Sequence, residues 1–280
     1  MQGLVPIGDD TAVIAGSGGS KWLFTTDVIV DGVDFIHSKI APQMAGRKAV
    51  AVNLSDIAAM GGTPVAFVAA LGIPKGFSEA WIEKFYKGMT AIAKKYGTLF
   101  TGGDISRSKD FFCSVAMLGI APEKGAVLRS GARAGDWIGV TGKFGGSIRE
   151  HHYVFEPRVA EGKYLAQYFR PHAMIDVSDG LAQDLGHILK ASGVGAAIEI
   201  QKIPKNGVSL EQALTDGEDF ELLFTMGETQ KEKLERGWRK KFPRTPLSWI
   251  GRIQKEKGIR WLDHTKPVRL PFEIKGFRHF

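Results

Sequence analysis

The sequence predicts an α+β protein of two domains, and three observations lead there. Short β-prone runs alternate with stretches of helical periodicity, and no internal repeat or low-complexity segment appears. A segment rich in Gly, Lys and Arg, Pro122 to Gly135, interrupts that alternation. The 280 residues, 44% hydrophobic and 24% charged, suit one large domain or two of average size. The boundary is set near residue 122, giving domains 1–122 and 123–280.

Each element follows from local pattern. Thr11 to Ala15 and Trp22 to Thr26 are β-like runs joined by a Gly-Ser turn, Gly16 to Ser20. Pro42 to Met60 is a helix, apolar nearly all round from Ala49 onward and therefore expected to be buried. Val65 to Ile73 is a strand closed by Pro74. Ser78 caps a helix running to Tyr96, with Trp81, Phe85, Met89 and Ile92 at three- and four-residue spacing. Thr98 to Thr101 and Phe111 to Ile120 are strands. Beyond the boundary come a strand at Trp137 to Thr141, a Gly-rich turn, a helix near Val159 to Phe169 and a strand at Ala173 to Val177. A helix from Gly180 to Ala191 buries Leu181, Leu185 and Ile188, and strands at Ala196 to Ile200, Phe220 to Thr225 and Leu247 to Ile250 complete the pattern.

Composition excludes several classes of function. The longest apolar runs, such as Val65 to Ile73, fall well short of the roughly 20 residues of a membrane-spanning helix, and no secretory signal is visible. The single cysteine, Cys113, lies in an apolar run and is expected to be a buried small hydrophobe. A cytoplasmic protein without a membrane role is expected. The net charge of +7 is scattered apart from Lys231 to Arg244, which fits a solvated helix face; with no RNA-binding aromatic signature or zinc spacing, nucleic acid is not expected as a partner.

The acidic residues carry more information. Gly8-Asp9-Asp10, Thr25-Thr26-Asp27, Asn53-Leu54-Ser55-Asp56, Gly102-Gly103-Asp104 and Asp176-Val177-Ser178-Asp179-Gly180 form five short clusters. Four are expected to place a carboxylate at the end of a β run or in the turn beside it. Asp56 is the exception, on the apolar helix, where a carboxylate is costly unless paired or bound to a metal. Taken singly, each cluster is explained better by helix and turn capping. Together, with one acid on a buried helix, they favour several Mg²⁺ ions gathered around a triphosphate, because Mg²⁺ takes oxygen ligands from one or two carboxylates plus phosphate.

Other motifs are absent or neutral. There is no P-loop and no protein-kinase or dinucleotide fingerprint; Gly16 to Lys21 lacks the P-loop spacing. Thr141 to Ser147 follows a strand, and either wraps N–H groups round a phosphate or is an ordinary loop. His151-His152 sits in an expected loop without acidic or Cys neighbours at metal spacing, and no catalytic role is assigned to it.

The run Ile7-Gly-Asp-Asp-Thr-Ala-Val resembles the opening motif of the thiamine-monophosphate kinases, which share a superfamily with aminoimidazole ribonucleotide synthetase, selenophosphate synthetase and a hydrogenase maturation factor. The likeness continues through Thr25 to Phe35, Ala49 to Gly61, Gly102 to Arg107, Arg129 to Asp136, Ile175 to Leu185, Gly217 to Leu222 and Gly276 to Phe280, in the family's order. Asn-Leu-Ser-Asp and Gly-Glu-Asp-Phe-Glu-Leu are particular to the kinase branch. No Cys stands near the N-terminus, where selenophosphate synthetase has its reactive residue, and the chain ends Arg-His-Phe, where the hydrogenase factor has a Cys.

The resemblance implies an aminoimidazole ribonucleotide synthetase-like fold, with an N-terminal α+β domain forming a dimer barrel and a C-terminal α/β sandwich. It implies a homodimer that phosphorylates thiamine monophosphate to thiamine diphosphate with ATP and several Mg²⁺ ions. Asp10, Thr25, Thr26, Asp27, Asp56, Asp104, Asp176 and Asp179 would hold the metal. Gly103, Asp104, Arg129 and Ser178 would bind ATP, and Asp34, Glu218 and Phe277 the acceptor. Asp34 stands where relatives commonly have His, the short helix preceding Gly-Asp-Asp is missing, and the segment after Ser147 is shortened. An acceptor phosphate monoester is largely a dianion near neutral pH and needs no general base, so direct in-line transfer is expected with no catalytic side chain beyond the metal ligands. The alternatives are a related ATP-dependent enzyme acting on another small substrate, and a non-catalytic nucleotide-binding protein.

Overall fold

A computed structural model of the chain describes residue 5 and residues 7–274. Before the Gly-rich boundary it runs β1 (Ala12–Ala15), β2 (Lys21–Val30), α1 (Pro42–Ala59), β3 (Thr63–Ile73), α2 (Glu79–Tyr96), β4 (Leu99–Arg107) and β5 (Phe112–Ile120). After it come β6 (Trp137–Thr141), α3 (His151–Val154), α4 (Val159–Tyr164), β7 (Ala173–Asp176), α5 (Leu181–Ser192) and β8 (Gly195–Glu199). The chain continues through α6 (Leu210–Thr215), β9 (Leu222–Met226), α7 (Glu228–Lys241), β10 (Leu247–Gln254), β11 (Gly258–Asp263) and β12 (Lys266–Pro267).

The strands form two mixed sheets, so the α+β class stands. The first has the order β1-β2-β5-β3-β4, antiparallel except for the parallel pair β3 and β4; the second has the order β12-β11-β8-β10-β6-β9-β7, with β11 and β8 parallel. Alternation along β2 turns Leu23, Thr25, Asp27 and Ile29 to one face of the first sheet, and Phe24, Thr26 and Val28 to the other.

Helix α1 occupies the centre. Pro42 opens it, and it lies against α2, β2 and β5 of its own half and against α3, α4 and β7 of the other. That double burial is why its sequence is apolar nearly all round. Two glycines let α1 and α2 approach: a Cβ on Gly46 would fall 2.0 Å from the Phe85 carbonyl oxygen, and one on Gly88 2.0 Å from that of Gln43. The Ser78 hydroxyl accepts from the Trp81 N–H, and Gly97 ends α2 in the left-handed region. One core joins Leu54 and Met117 to Phe155, Phe220 and Met226 across both sheets; a second, around Ile138, Leu185, Ile198 and Ile253, belongs to the larger sheet.

Cys113 faces the first core at 1% exposure, and burial pushes its thiol up to about 12. Most of Lys231 to Arg244 lies on α7, a basic helix that buries Leu234 and Trp238. Three expectations need correction. β2 runs on to Val30 and β4 to Arg107, so Asp27 and Asp104 lie within strands rather than at their ends. Gly102-Gly103 is strand, not turn, because it pairs with Val68 and Ala69 of β3. His152 is not in a loop but on α3, 5% exposed. The short α6 and the strand β11 escaped the sequence patterns.

Candidate active site

Four carboxylates from distant parts of the chain converge behind the first sheet. Asp27 comes from β2, Asp56 from α1, Asp176 from the last position of β7, and Asp10 from the segment before β1. Oxygens of Asp10, Asp56 and Asp176 all lie within 4.8 Å of one another. Thr25 Oγ1 donates to Asp56 Oδ2, and Ser55 Oγ donates to Asp176 Oδ2 at 2.5 Å. Arg129 Nη2 donates to Asp10 Oδ1 at 2.9 Å, and its backbone N–H to Asp9 Oδ1 at 2.6 Å. Between Ala49 and Met60 every residue is buried except Asp56, which keeps partial exposure.

Crowding sets the electrostatics. Burial, then the charges of Asp27, Asp176 and Asp10, hold the Asp56 carboxyl well above the ordinary carboxylate range. Burial and Asp10 do the same to Asp176, and burial raises Asp27 to about 6. Burial also raises Asp10, against the pull of Arg129. Asp27 Oδ2 is buried without a hydrogen-bond partner. An all-oxygen donor set with surplus negative charge and an orphaned carboxylate oxygen fits a hard divalent cation such as Mg²⁺.

These shifts have a measurable consequence. A carboxyl whose folded pKa is raised stabilises the fold when protonated, and that contribution is lost as pH climbs through the folded value. Metal-free protein is expected to melt at lower temperature as pH rises from about 5 to about 8, and the increase in melting temperature given by Mg²⁺ should grow over the same range. A Mg²⁺ effect independent of pH would detach the cluster from metal binding.

Beside the cluster a cavity of about 410 Å³ is lined by Asp27, Asp34, Lys48, His152, Ser178, Asp179, Glu218 and Phe220. Asp34 Oδ2 accepts from the Val30 N–H at 2.7 Å, while Lys48 Nζ lies 2.7 Å from Glu218 Oε1. Glu218 sits on a taut segment: Gly217, Glu218 and Phe220 have φ of 71°, 55° and 51°. The Glu218 and Phe220 N–H groups donate to the Ser178 and Val177 carbonyls, both at 2.7 Å. Left-handed backbone at two non-glycine residues is strain of the kind that clusters at functional sites. The Gly145 N–H donates to the Asp219 carboxylate and the Gly146 N–H to Asp216. The Thr141 to Ser147 turn thus uses its N–H groups within the protein, which settles it as a structural loop.

The sequence-derived residues divide into three groups. Asp10, Thr25, Asp27, Asp56, Asp176 and Arg129 come together at the cluster, and Asp34, Ser178, Asp179 and Glu218 at the cavity. Thr26, Gly103 and Asp104 do not join them within one chain. Ala70 pairs with both Asp104 and Ser114, and Thr26 Oγ1 lies 3.4 Å from Ser114 Oγ, so Thr26 and Asp104 share the sheet's outer face. Phe277 lies outside the described residues. Lys48 and His152 were missed; a lysine next to the most apolar helical stretch was the available signal.

Comparison with known proteins places the chain in a family. Residues 8–121 match the family model for the AIR synthase related protein, N-terminal domain. The thiamine-monophosphate kinase of Rhodopirellula baltica is 37% identical over 278 residues, spanning 92% of this chain and 86% of that protein. That of Bacillus subtilis is 33% identical, spanning 99% and 93%. The solved structure of AaThiL complexed with AMPPCP and TMP superposes with a TM-score of 0.84 at 31% identity, over 98% of this chain and 92% of that one.

Proposed function

The chain belongs to the thiamine-monophosphate kinase family, and from that premise we propose that it transfers the γ-phosphoryl group of ATP to thiamine monophosphate, giving thiamine diphosphate and ADP. The observation that carries this is the convergence of Asp10, Asp56 and Asp176 beside a cavity that presents Glu218. Bound Mg²⁺ would supply charge neutralisation between the two phosphate-bearing substrates. Asp10, Thr25, Asp27, Asp56 and Asp176 would hold it, with Asp179 at the cavity as a further ligand. Arg129 and Ser178 would contact ATP, and Glu218 and Asp34 would orient the acceptor. The acceptor phosphate is its own nucleophile, so the protein aligns two anions and needs no base.

We assign residues 1–122 and 123–280 to two domains, on the support of the two separate sheets. We further assign a homodimer. Phe24, Val28, Val68, Leu118 and Ile120 on the outer face of the first sheet are 38–52% exposed, a patch of the kind that marks an interface. Thr26, Gly103 and Asp104 lie on that sheet, where a second copy would bring them against its own site. Among the described residues no helix is long and apolar enough to cross a membrane, in keeping with a cytoplasmic enzyme.

Purified protein with Mg²⁺ and ATP is expected to convert thiamine monophosphate to thiamine diphosphate with stoichiometric ADP, and to use free thiamine poorly. Faster phosphorylation of free thiamine would overturn the assignment. Turnover of neither compound would return the site to the wider superfamily.

A further inference from the structure

We propose that Lys48 and His152 are positioning residues for the acceptor: together they fix the Glu218 carboxylate in the cavity, and so govern acceptor affinity independently of ATP. This rests on the kinase function proposed above.

Lys48 is 1% exposed, on α1, where a cation is costly unless its protons are partnered. Its Nζ lies 2.7 Å from Glu218 Oε1, 2.8 Å from the Asp34 carbonyl oxygen and 2.8 Å from His152 Nδ1. His152 Nδ1 lies 2.5 Å from Glu218 Oε2. With its proton on Nδ1, His152 donates to Glu218 and does not also accept from Lys48, whose protons go to Glu218 Oε1 and the Asp34 carbonyl; each oxygen of Glu218 thus has its own partner and keeps a lone pair for a ligand. Burial alone would raise the Glu218 carboxyl, but the His152 contact and the Lys48 charge hold it below its ordinary value. An ionised carboxylate in a fixed orientation suits an acceptor that offers ring N–H donors or carries positive charge.

The neighbouring Arg47 shows what a structural role looks like. Its guanidinium donates to the Tyr153 and Phe155 carbonyls and pairs with Glu156, fastening the α3 region to α1, and it does not line the cavity. Lys48 and His152 do line it, and both converge on Glu218. Glu218 is held at its backbone by the Ser178 carbonyl and at its side chain by these two residues. Loss of either side-chain partner frees the carboxylate to rotate without unseating the segment that carries it.

The test is steady-state kinetics with thiamine monophosphate and ATP varied separately. The variants are Lys48→Met, His152→Gln, Glu218→Gln, Arg47→Ala and the double variant Lys48→Met/Glu218→Gln. Lys48→Met should raise KM for thiamine monophosphate by about tenfold or more and leave KM for ATP within about twofold. His152→Gln should do the same to a smaller degree, and it carries the test if Lys48→Met does not fold. In the Glu218→Gln background, Lys48→Met should add less than about twofold, since its effect passes through Glu218. Arg47→Ala should lower the melting temperature without separating the two KM values. A parallel rise in both KM values for the Lys48 and His152 variants, or full multiplication of the Lys48 and Glu218 effects, would overturn the inference. If wild-type protein itself fails to turn over thiamine monophosphate, the kinase assignment fails instead; an active wild type with an unchanged Lys48→Met sinks the inference alone.

Discussion

Asp56→Asn is expected to reduce Mg²⁺-dependent phosphoryl transfer by more than about 100-fold, beyond the usual cost of losing a metal site's supporting contacts. Metal-free Asp56→Asn protein should melt no lower than the wild type. The two effects have one origin. In the metal-free chain burial and then the charges of Asp27, Asp176 and Asp10 raise the Asp56 carboxyl, while Thr25 donates to it. An amide keeps the shape and can still accept from Thr25, but it removes one charge from a site already over-supplied with negative charge. What disappears is the charge a cation needs. Glu83→Gln is the control: Glu83 is exposed on α2, away from the buried Phe85, Met89 and Ile92, and should alter neither turnover nor melting. Turnover of Asp56→Asn near the wild-type rate would remove Asp56 from the metal site and leave its partial burial a purely structural feature.

Leu118→Glu should convert a micromolar dimer to monomer in sedimentation experiments and lower turnover by about tenfold or more, as expected when a charge is buried unpaired at an interface centre. Leu118 lies on β5, opposite Phe24 of β2 and Ala66 of β3, and is 38% exposed in the single chain. A glutamate there can reach solvent in the monomer, so the fold of the chain should survive; between two copies it would be buried against apolar side chains. Activity should fall with assembly because Thr26 and Asp104 share that face. A variant that stays dimeric and fully active would exclude this face as the interface. A fully active wild-type monomer would exclude the dimeric site altogether.

Much of the fold was legible because its signals are local. The Ser78 cap, the spacing of Trp81, Phe85, Met89 and Ile92, and Gly97 fix α2 within one continuous stretch. The stretch of α1 from Ala49, apolar nearly all round, announced a buried helix. Strand ends were less legible. Gly102-Gly103 has the composition of a turn, yet β4 continues through it, because a Cβ on Gly103 would fall 1.8 Å from the Ala69 carbonyl oxygen and only glycine permits that approach. The residues that form α3 gave no periodic signal, since a helix of four residues spans little more than one turn.

By itself, the sequence singled out the acids proposed to carry the chemistry. Asp10, Asp27, Asp56 and Asp176 stand out as acids flanked by Thr, Ser and Gly, and a carboxylate on an apolar helix needs compensation wherever that helix lies. The tertiary structure decided which of them meet. Asp56 and Asp176 are 120 positions apart, and α1 reaches β7 only because the helix is packed between both halves of the chain. The same packing brings Lys48 to Glu218 and His152, and strand pairing turns Thr25 and Asp27 inward while leaving Thr26 and Asp104 on the outer face. Capping and periodicity act over a few residues, so they can be read along the chain. Convergence depends on strand order and on burial shared between distant segments, whose energies no short stretch of sequence contains.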